Sequence, residues 1–150
     1  MSTATESQKA VFPTPRPDAD TQAYWDGVAR EELLCQHCPD CERWIWQPSP
    51  VCPGCSRAEL PWRKLAGAGR VASWMVVRPP TLPAYADLVP LVVMLVELDE
   101  GIRMIGYLVA DDGALLQTDG EAEGVAIGRR VALRFHTQGA TVLPSWTLRD

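Results

Sequence analysis

Two short cysteine turns constrain this chain more than any other feature. They are Cys38-Pro39-Asp40-Cys41 and Cys52-Pro53-Gly54-Cys55, with ten residues between them. Each turn brings two thiolates toward one point, and together they supply the four sulfurs of a tetrahedral metal site. Pairs at this spacing hold zinc and, in rubredoxin-like sites, iron. Nothing else in the chain suggests electron transfer, so zinc is the expected ion. Cys35-Gln36-His37-Cys38 offers a competing frame, but the matched prolines favour Cys38 and Cys41. Cys35 is then a spare thiol, expected as a small core residue. His37 is expected in solvent or bonded to backbone. Four thiolates close the coordination shell and leave no position for water or substrate, so the site is structural. Its binding energy holds together a segment too short to make its own core.

The remaining composition narrows the classes of function. A 150-residue chain that is 47% hydrophobic can bury about two-thirds of its unfolded surface, as one domain or two very small ones. The net charge is −5, and no third of the chain is positive: residues 1–29 carry two basic and four acidic groups, 30–64 five of each, and 65–150 seven and ten. Nucleic-acid binders draw most of their non-specific affinity from Lys and Arg on phosphate, so this balance speaks against one. The longest apolar run, Leu88–Val96, is nine residues, where a spanning helix needs about 20. The first residues carry no apolar signal core. These readings predict a cytoplasmic protein without a membrane segment, where thiols stay reduced and cysteines serve metals.

Along the chain, residues 1–20 are rich in Pro, Ser, Thr and charge, and read as a flexible or partner-docked arm. Asp20-Thr21 caps an expected helix over 21–34. Tyr24, Trp25, Val28, Ala29 and Leu33 share one of its faces. That face either covers the chain's own core or meets a partner. Residues 35–64 form the cysteine segment, in which Trp44, Trp46 and Trp62 either pack the segment onto the next domain or face a partner. Residues 65–150 read as strands: 71–77, a continuous apolar 91–98, 102–109 returning as a hairpin, 130–136 and 141–148. The acidic stretch 114–128 is irregular, with room for a short helix. Five strands with short turns fit a small closed OB-type barrel, and a small sandwich would give the same pattern. The expected fold is mainly β: helix, zinc ribbon, then five-stranded barrel.

No catalytic set emerges. The only histidines are His37 and His136. There is no nucleophile elbow, phosphate loop or zinc-protease motif, and Gly67-Ala68-Gly69 is a strand entry rather than a nucleotide loop. The expectation is a chain that is not catalytic alone.

The order of features resembles the domain of unknown function 35 family. It runs from Tyr24-Trp25-Asp26-Gly27 through the approach strand Glu32–Cys38 and the ribbon Trp46–Cys55. Trp62, Gly67–Val71, Pro90–Gly101 and Ile127–Val131 follow, so the likeness spans about residues 21–148. The resemblance implies a rubredoxin-like zinc ribbon joined to an OB-fold, with Cys38, Cys41, Cys52 and Cys55 as ligands of one structural zinc. It also implies an accessory subunit. The partner would be a thiolase-like or lipid-transfer-protein-like aldolase or acyltransferase that carries the catalysis on acyl-CoA substrates, in steroid side-chain, aromatic acyl-CoA or polyketide-type metabolism. Family knuckles often place Gly after the second cysteine, whereas Glu42 and Ser56 stand here. Tyr24, Trp25, Trp44 and Trp46 are the candidate partner contacts. One alternative is a stand-alone acyl-CoA or lipid-binding module, with Arg70, Arg78, Arg129, Arg130 and Arg134 gathered at one mouth of the barrel as CoA phosphate contacts. The other is single-stranded nucleic-acid binding, against which stand the charge and the few strand aromatics, Trp74, Tyr107 and Phe135.

Overall fold

The structure is a computed structural model that describes residues 11–150; residues 1–10 of the expected arm lie outside the described residues. Chain order is helix α1 (Gln22–Ala29), then β1 (Leu34–His37), β2 (Trp44–Ile45) and β3 (Trp62–Lys64). A long β4 (Ala68–Val77), β5 (Leu91–Leu98), β6 (Arg103–Tyr107), β7 (Arg130–Gln138) and β8 (Thr141–Leu148) follow. The first three strands form one antiparallel sheet in the order β2-β1-β3, and the other five form a second in the order β6-β5-β4-β7-β8.

The second sheet closes on itself. Past the end of β6, Leu108 bridges Trp146 of β8 in parallel, and the Val109 N–H donates to the Trp146 carbonyl at 2.9 Å. The first barrel strand thus pairs with the second and fourth, and the third joins the fifth in parallel. This is a closed OB-type barrel rather than a sandwich. The wall is filled by Val71, Val92, Met94, Val96, Met104, Leu108, Val131 and the fully buried Trp146.

Two local devices set the barrel's curvature. A bulge in β4 between Val71 and Ser73 shifts its register against β5, so Val71 points inward before it while Trp74 and Val76 do so after it. Simple alternation along 71–77 therefore does not survive the bulge. Gly69 is the second device: a Cβ there would collide with the Glu97 carbonyl oxygen of β5, so only glycine admits this approach of the strands.

Helix α1 is shorter than the 21–34 segment expected from sequence. It ends at Ala29 because Glu31 takes a left-handed φ of 59°, and the Glu32 N–H folds back to the Gly27 carbonyl at 2.8 Å. Leu34 belongs to β1. The helix start also differs: Thr21 makes no side-chain cap. Instead Asp18 accepts from the Thr21 N–H at 2.9 Å and from its hydroxyl at 2.6 Å, which lowers the Asp18 pKa. Upstream, Phe12 lies edge-on against Tyr85 at 5.3 Å. Residues 114–128 hold no helix. Gly113, Gly120, Gly124 and Gly128 all have positive φ, and a helix cannot run through such positions.

Candidate metal centre

The first cysteine turn joins β1 to β2, and the second follows the 46–51 loop. In each, the leading cysteine's N–H closes the turn on a carbonyl five residues on: Cys38 to Arg43 and Cys52 to Arg57, both at 2.8 Å. An Arg57–Asp40 ion pair of 2.7 Å ties the two knuckles together. The left-handed positions are Glu42 (φ 53°) and Ser56 (φ 63°), the two sites where glycine was expected. The knuckle geometry is thus kept by residues that hold it at a cost, of order 1–2 kcal/mol each.

The four sulfurs converge. Cys38 lies 3.5 Å from Cys55, Cys41 3.4 Å from Cys52 and 3.8 Å from Cys55. All four lie within 4.8 Å of one another. A tetrahedron of sulfurs about 2.3 Å from a central zinc has edges of about 3.8 Å, so the cluster has the size the ion requires. Cys38 and Cys52 are buried, and Cys41 and Cys55 face solvent. The proton balance agrees. Burial raises the Cys52 thiol, but hydrogen bonds from the Gly54 and Cys55 backbone and from neighbouring thiols prevail, leaving it at about 6. Hydrogen bonding with Cys52 and Cys38 drives Cys41 up to about 12. Four thiolates this close ionise together only around a cation. The donor set fits one structural zinc, held by Cys38, Cys41, Cys52 and Cys55.

Cys35 is not part of the cluster. It is fully buried on β1, donates to the Ile45 carbonyl at 3.1 Å, and burial raises its thiol to about 11. His37 departs from the expectation of a solvated or backbone-bonded ring. It is buried, its Nδ1 has no partner, and it packs against Trp44 with centroids 4.7 Å apart. Pairing of β1 with β2 sets His37 opposite Trp44, a neighbour that helical or strand spacing does not reveal.

The four candidate partner aromatics differ in exposure. Tyr24 is only 8% exposed and packs between Trp25 (5.1 Å) and Trp46 (4.9 Å). Trp44, Trp46 and Trp62 all lie half-buried against the main core. Trp25 lines two surface grooves, one of them together with Tyr24.

The arginines split as well. Arg70 and Arg130 are opposed across β4 and β7, and Arg129 adjoins them. Arg78 lies just past the end of β4, eight residues on from Arg70 and about 25 Å away at strand rise, so the set does not gather at one mouth. Each is engaged within the chain: Arg70 with the Gly128 carbonyl, Arg78 with Asp119, Arg129 with Asp150, and Arg130 with both Asp99 oxygens. Arg134 and Arg149 share Asp111.

Sequence reasoning missed Met75 and Ile105, two of the most exposed large apolar residues, at 59% and 69%. The unbroken apolar run of β5 beside them was the available signal.

Comparison with known proteins decides the family. Residues 25–61 match the model described as the ChsH2 rubredoxin-like zinc ribbon domain, and 62–136 that of the ChsH2 C-terminal OB-fold domain. A scaffold protein containing a DUF35 domain, from Methanothermobacter thermautotrophicus, is 33% identical over 64% of this chain and 72% of its own length. The chain belongs to the DUF35 family. Its zinc ribbon and OB-fold are therefore family features as well as observed ones.

Two larger relatives are similar over one part of their length. A probable enoyl-CoA hydratase alpha subunit of Thermomonospora curvata is 34% identical over 69% of this chain and 32% of its own. The 3-oxo-4,17-pregnadiene-20-carboxyl-CoA hydratase alpha subunit of Mycobacterium tuberculosis is 34% identical over 89% of this chain and 38% of its own. The DUF35 chain thus spans about a third of these relatives. Among solved structures, a chain of an Ltp2-ChsH2(DUF35) aldolase aligns over 90% of this chain and 98% of its own, at 28% identity and a TM-score of 0.75. A DUF35 protein of unknown function from Sulfolobus solfataricus shares the fold, with a TM-score of 0.57 at 12% identity. Among the described residues, no helix is long and apolar enough to cross a membrane.

Proposed function

We propose that this chain is the accessory subunit of an enzyme complex acting on acyl-CoA substrates. The catalytic partner is a thiolase-like or lipid-transfer-protein-like aldolase or acyltransferase. One observation carries the reading: the near end-to-end likeness to the DUF35 chain of an aldolase that pairs it with Ltp2. The CoA hydratase alpha subunits among the relatives support the substrate class. In this reading the zinc is structural, the chain supplies no catalytic residue, and the complex works in the cytoplasm, where thiols stay reduced.

The acyl-CoA-binding alternative requires the arginines around Gly128 to exchange internal partners for phosphate. Asp99 already holds Arg130 through two hydrogen bonds, of 2.7 and 3.0 Å, and that exchange would cost a bidentate pair.

The experiment is tagged purification from the native host, with mass spectrometry of the co-purifying chains and an acyl-CoA turnover assay on the isolated and assembled forms. A stoichiometric thiolase-fold chain, with activity only in the assembly, is the expected result. A monodisperse monomer that stays apart from its purified candidate partner at micromolar concentration would refute the proposal.

A further inference from the structure

The barrel's outer wall carries an apolar face that no described part of the chain covers. Outward positions on three neighbouring strands align in register: Ser73, Leu95 and Ile105 in one row, Met75, Val93 and Tyr107 in the next. Val77 follows Met75 on the same side of β4. Three of the six large apolar residues most exposed among the described residues, Met75, Leu82 and Ile105, fall on this one surface. Three hollows meet at Val93. The largest, about 330 Å³, runs between Trp25, Ile105, Tyr107 and Pro144. Another lies over Met75 and Leu95, and a third reaches Leu82 and Tyr85.

Strand β5 states the same need in sequence. Its inward residues Val92, Met94, Val96 and Leu98 are buried in the barrel. Its outward Val93 and Leu95 are equally apolar, the composition of a strand meant to be covered on both faces. An exposed contiguous patch of this kind marks an interaction surface.

We infer that the outer face of β4, β5 and β6, with the adjoining Trp25–Tyr107 groove, is where the catalytic subunit docks. The inference rests on the accessory-subunit reading and adds the surface. Residues 1–10 offer one large apolar side chain, Met1, which is too little to match this face. The three-strand face itself is about 14 by 17 Å, or roughly 240 Å², where a stable interface buries about 800 Å² per partner. A second copy meeting this face alone would fall well short, and would bring a second charge of −5 against the first. The required area is reached by a larger partner that also fills the Trp25 groove and the hollow at Leu82. At one end of the face, Glu97 and Arg103 already neutralise each other at 2.8 Å.

The test uses the full chain and the catalytic chain identified by co-purification. The variant Met75→Glu/Ile105→Glu alters two exposed side chains, so its melting temperature and zinc content should match the wild type. Its affinity for the catalytic chain should fall at least 100-fold. Ile127→Glu, equally exposed but away from this face, should bind as wild type. A second measurement needs no variant. Oxidation of Met75 by peroxide should slow at least tenfold in the complex, while buried Met94 and Met104 stay protected in both states. Undiminished binding by the double variant, or unchanged Met75 oxidation, overturns the assignment and leaves the accessory role standing. A wild-type chain that binds no catalytic subunit overturns both. A wild-type homodimer that the double variant converts to monomer gives the face to a second copy and overturns the inference.

Discussion

The ribbon and the barrel solve the problem of stability in different ways. The ribbon's own buried cluster is Cys38, Ile45 and Cys52, with Leu60 against it, and two of those three residues are metal ligands. The barrel gathers Val, Leu, Met and Trp side chains from five strands around Trp146. A short segment cannot bury enough apolar surface to offset its ordering entropy, so a metal supplies the difference. The boundary between the two is not sharp. Leu33, Cys35 and Leu65, from the flanks and central strand of the ribbon, belong to the main cluster.

Metal removal should therefore have the largest effect, and a local one. Structural zinc contributes an apparent ~10–16 kcal/mol in small zinc domains at neutral pH. Chelation, or Cys52→Ser, should release the ion and disorder the knuckles, while β4–β8 keep their slow amide exchange. Hydrogen exchange read strand by strand makes the check. Equal loss of protection in the barrel would mean that the two regions form one cooperative unit.

The converse perturbation comes next. Trp146→Ala empties the centre of the barrel and should cost ~3–5 kcal/mol. Denaturant unfolding of the zinc-loaded protein measures it. Under conditions where the variant stays folded, zinc stoichiometry should remain one per chain. Loss of zinc from the folded variant would break the separation of the two regions.

Much of this division was legible in the sequence, for a physical reason. Metal ligation needs particular residues at short spacing, so Cys38, Cys41, Cys52 and Cys55 announced themselves. Apolar patterning, alternating or continuous, placed the barrel's five strands within a few residues. What stayed hidden depends on contacts between distant segments. The parallel bridge of Leu108 to Trp146 closes the barrel, and no local pattern encodes it. Tyr24 and Trp46 are 22 positions apart in sequence and touch only after the ribbon folds back on the helix. The end of α1 was hidden differently: Glu31 takes a left-handed conformation that glycine would have advertised. The face built by Met75, Val93 and Ile105 was half visible, as an apolar run whose second face had no stated cover.

Glu42 and Ser56 sharpen the comparison on the ribbon side. Both hold left-handed backbone without being glycine. Ser56→Gly removes that strain and should stabilise the zinc-loaded ribbon by about 1 kcal/mol. A zinc-competition titration should show about fivefold tighter retention, with barrel unfolding unchanged. Weaker retention would mean that the serine side chain contributes more than its backbone costs.

Acid gives the smallest effect on the barrel and separates the regions by a different route. Hydrogen bonding from Arg130 lowers the Asp99 carboxyl below its ordinary 3.8, and Arg149 does the same for Asp111. A carboxyl with a depressed folded pKa adds stability that is fully present above its unfolded value and is lost as pH falls through the folded one. The barrel should therefore hold a constant melting temperature from pH 7 to about 5 and lose stability only below about 4. Both carboxylates are exposed, so the loss should be modest, and Asp99→Asn/Asp111→Asn should flatten it. The ribbon should respond earlier, because protons compete with zinc for four thiolates as soon as acid is added. Following zinc release and barrel unfolding in one titration makes the comparison. Release at the higher pH, with the barrel still folded, is the expected order. Simultaneous loss would show that ribbon and barrel stand or fall together despite their different cores.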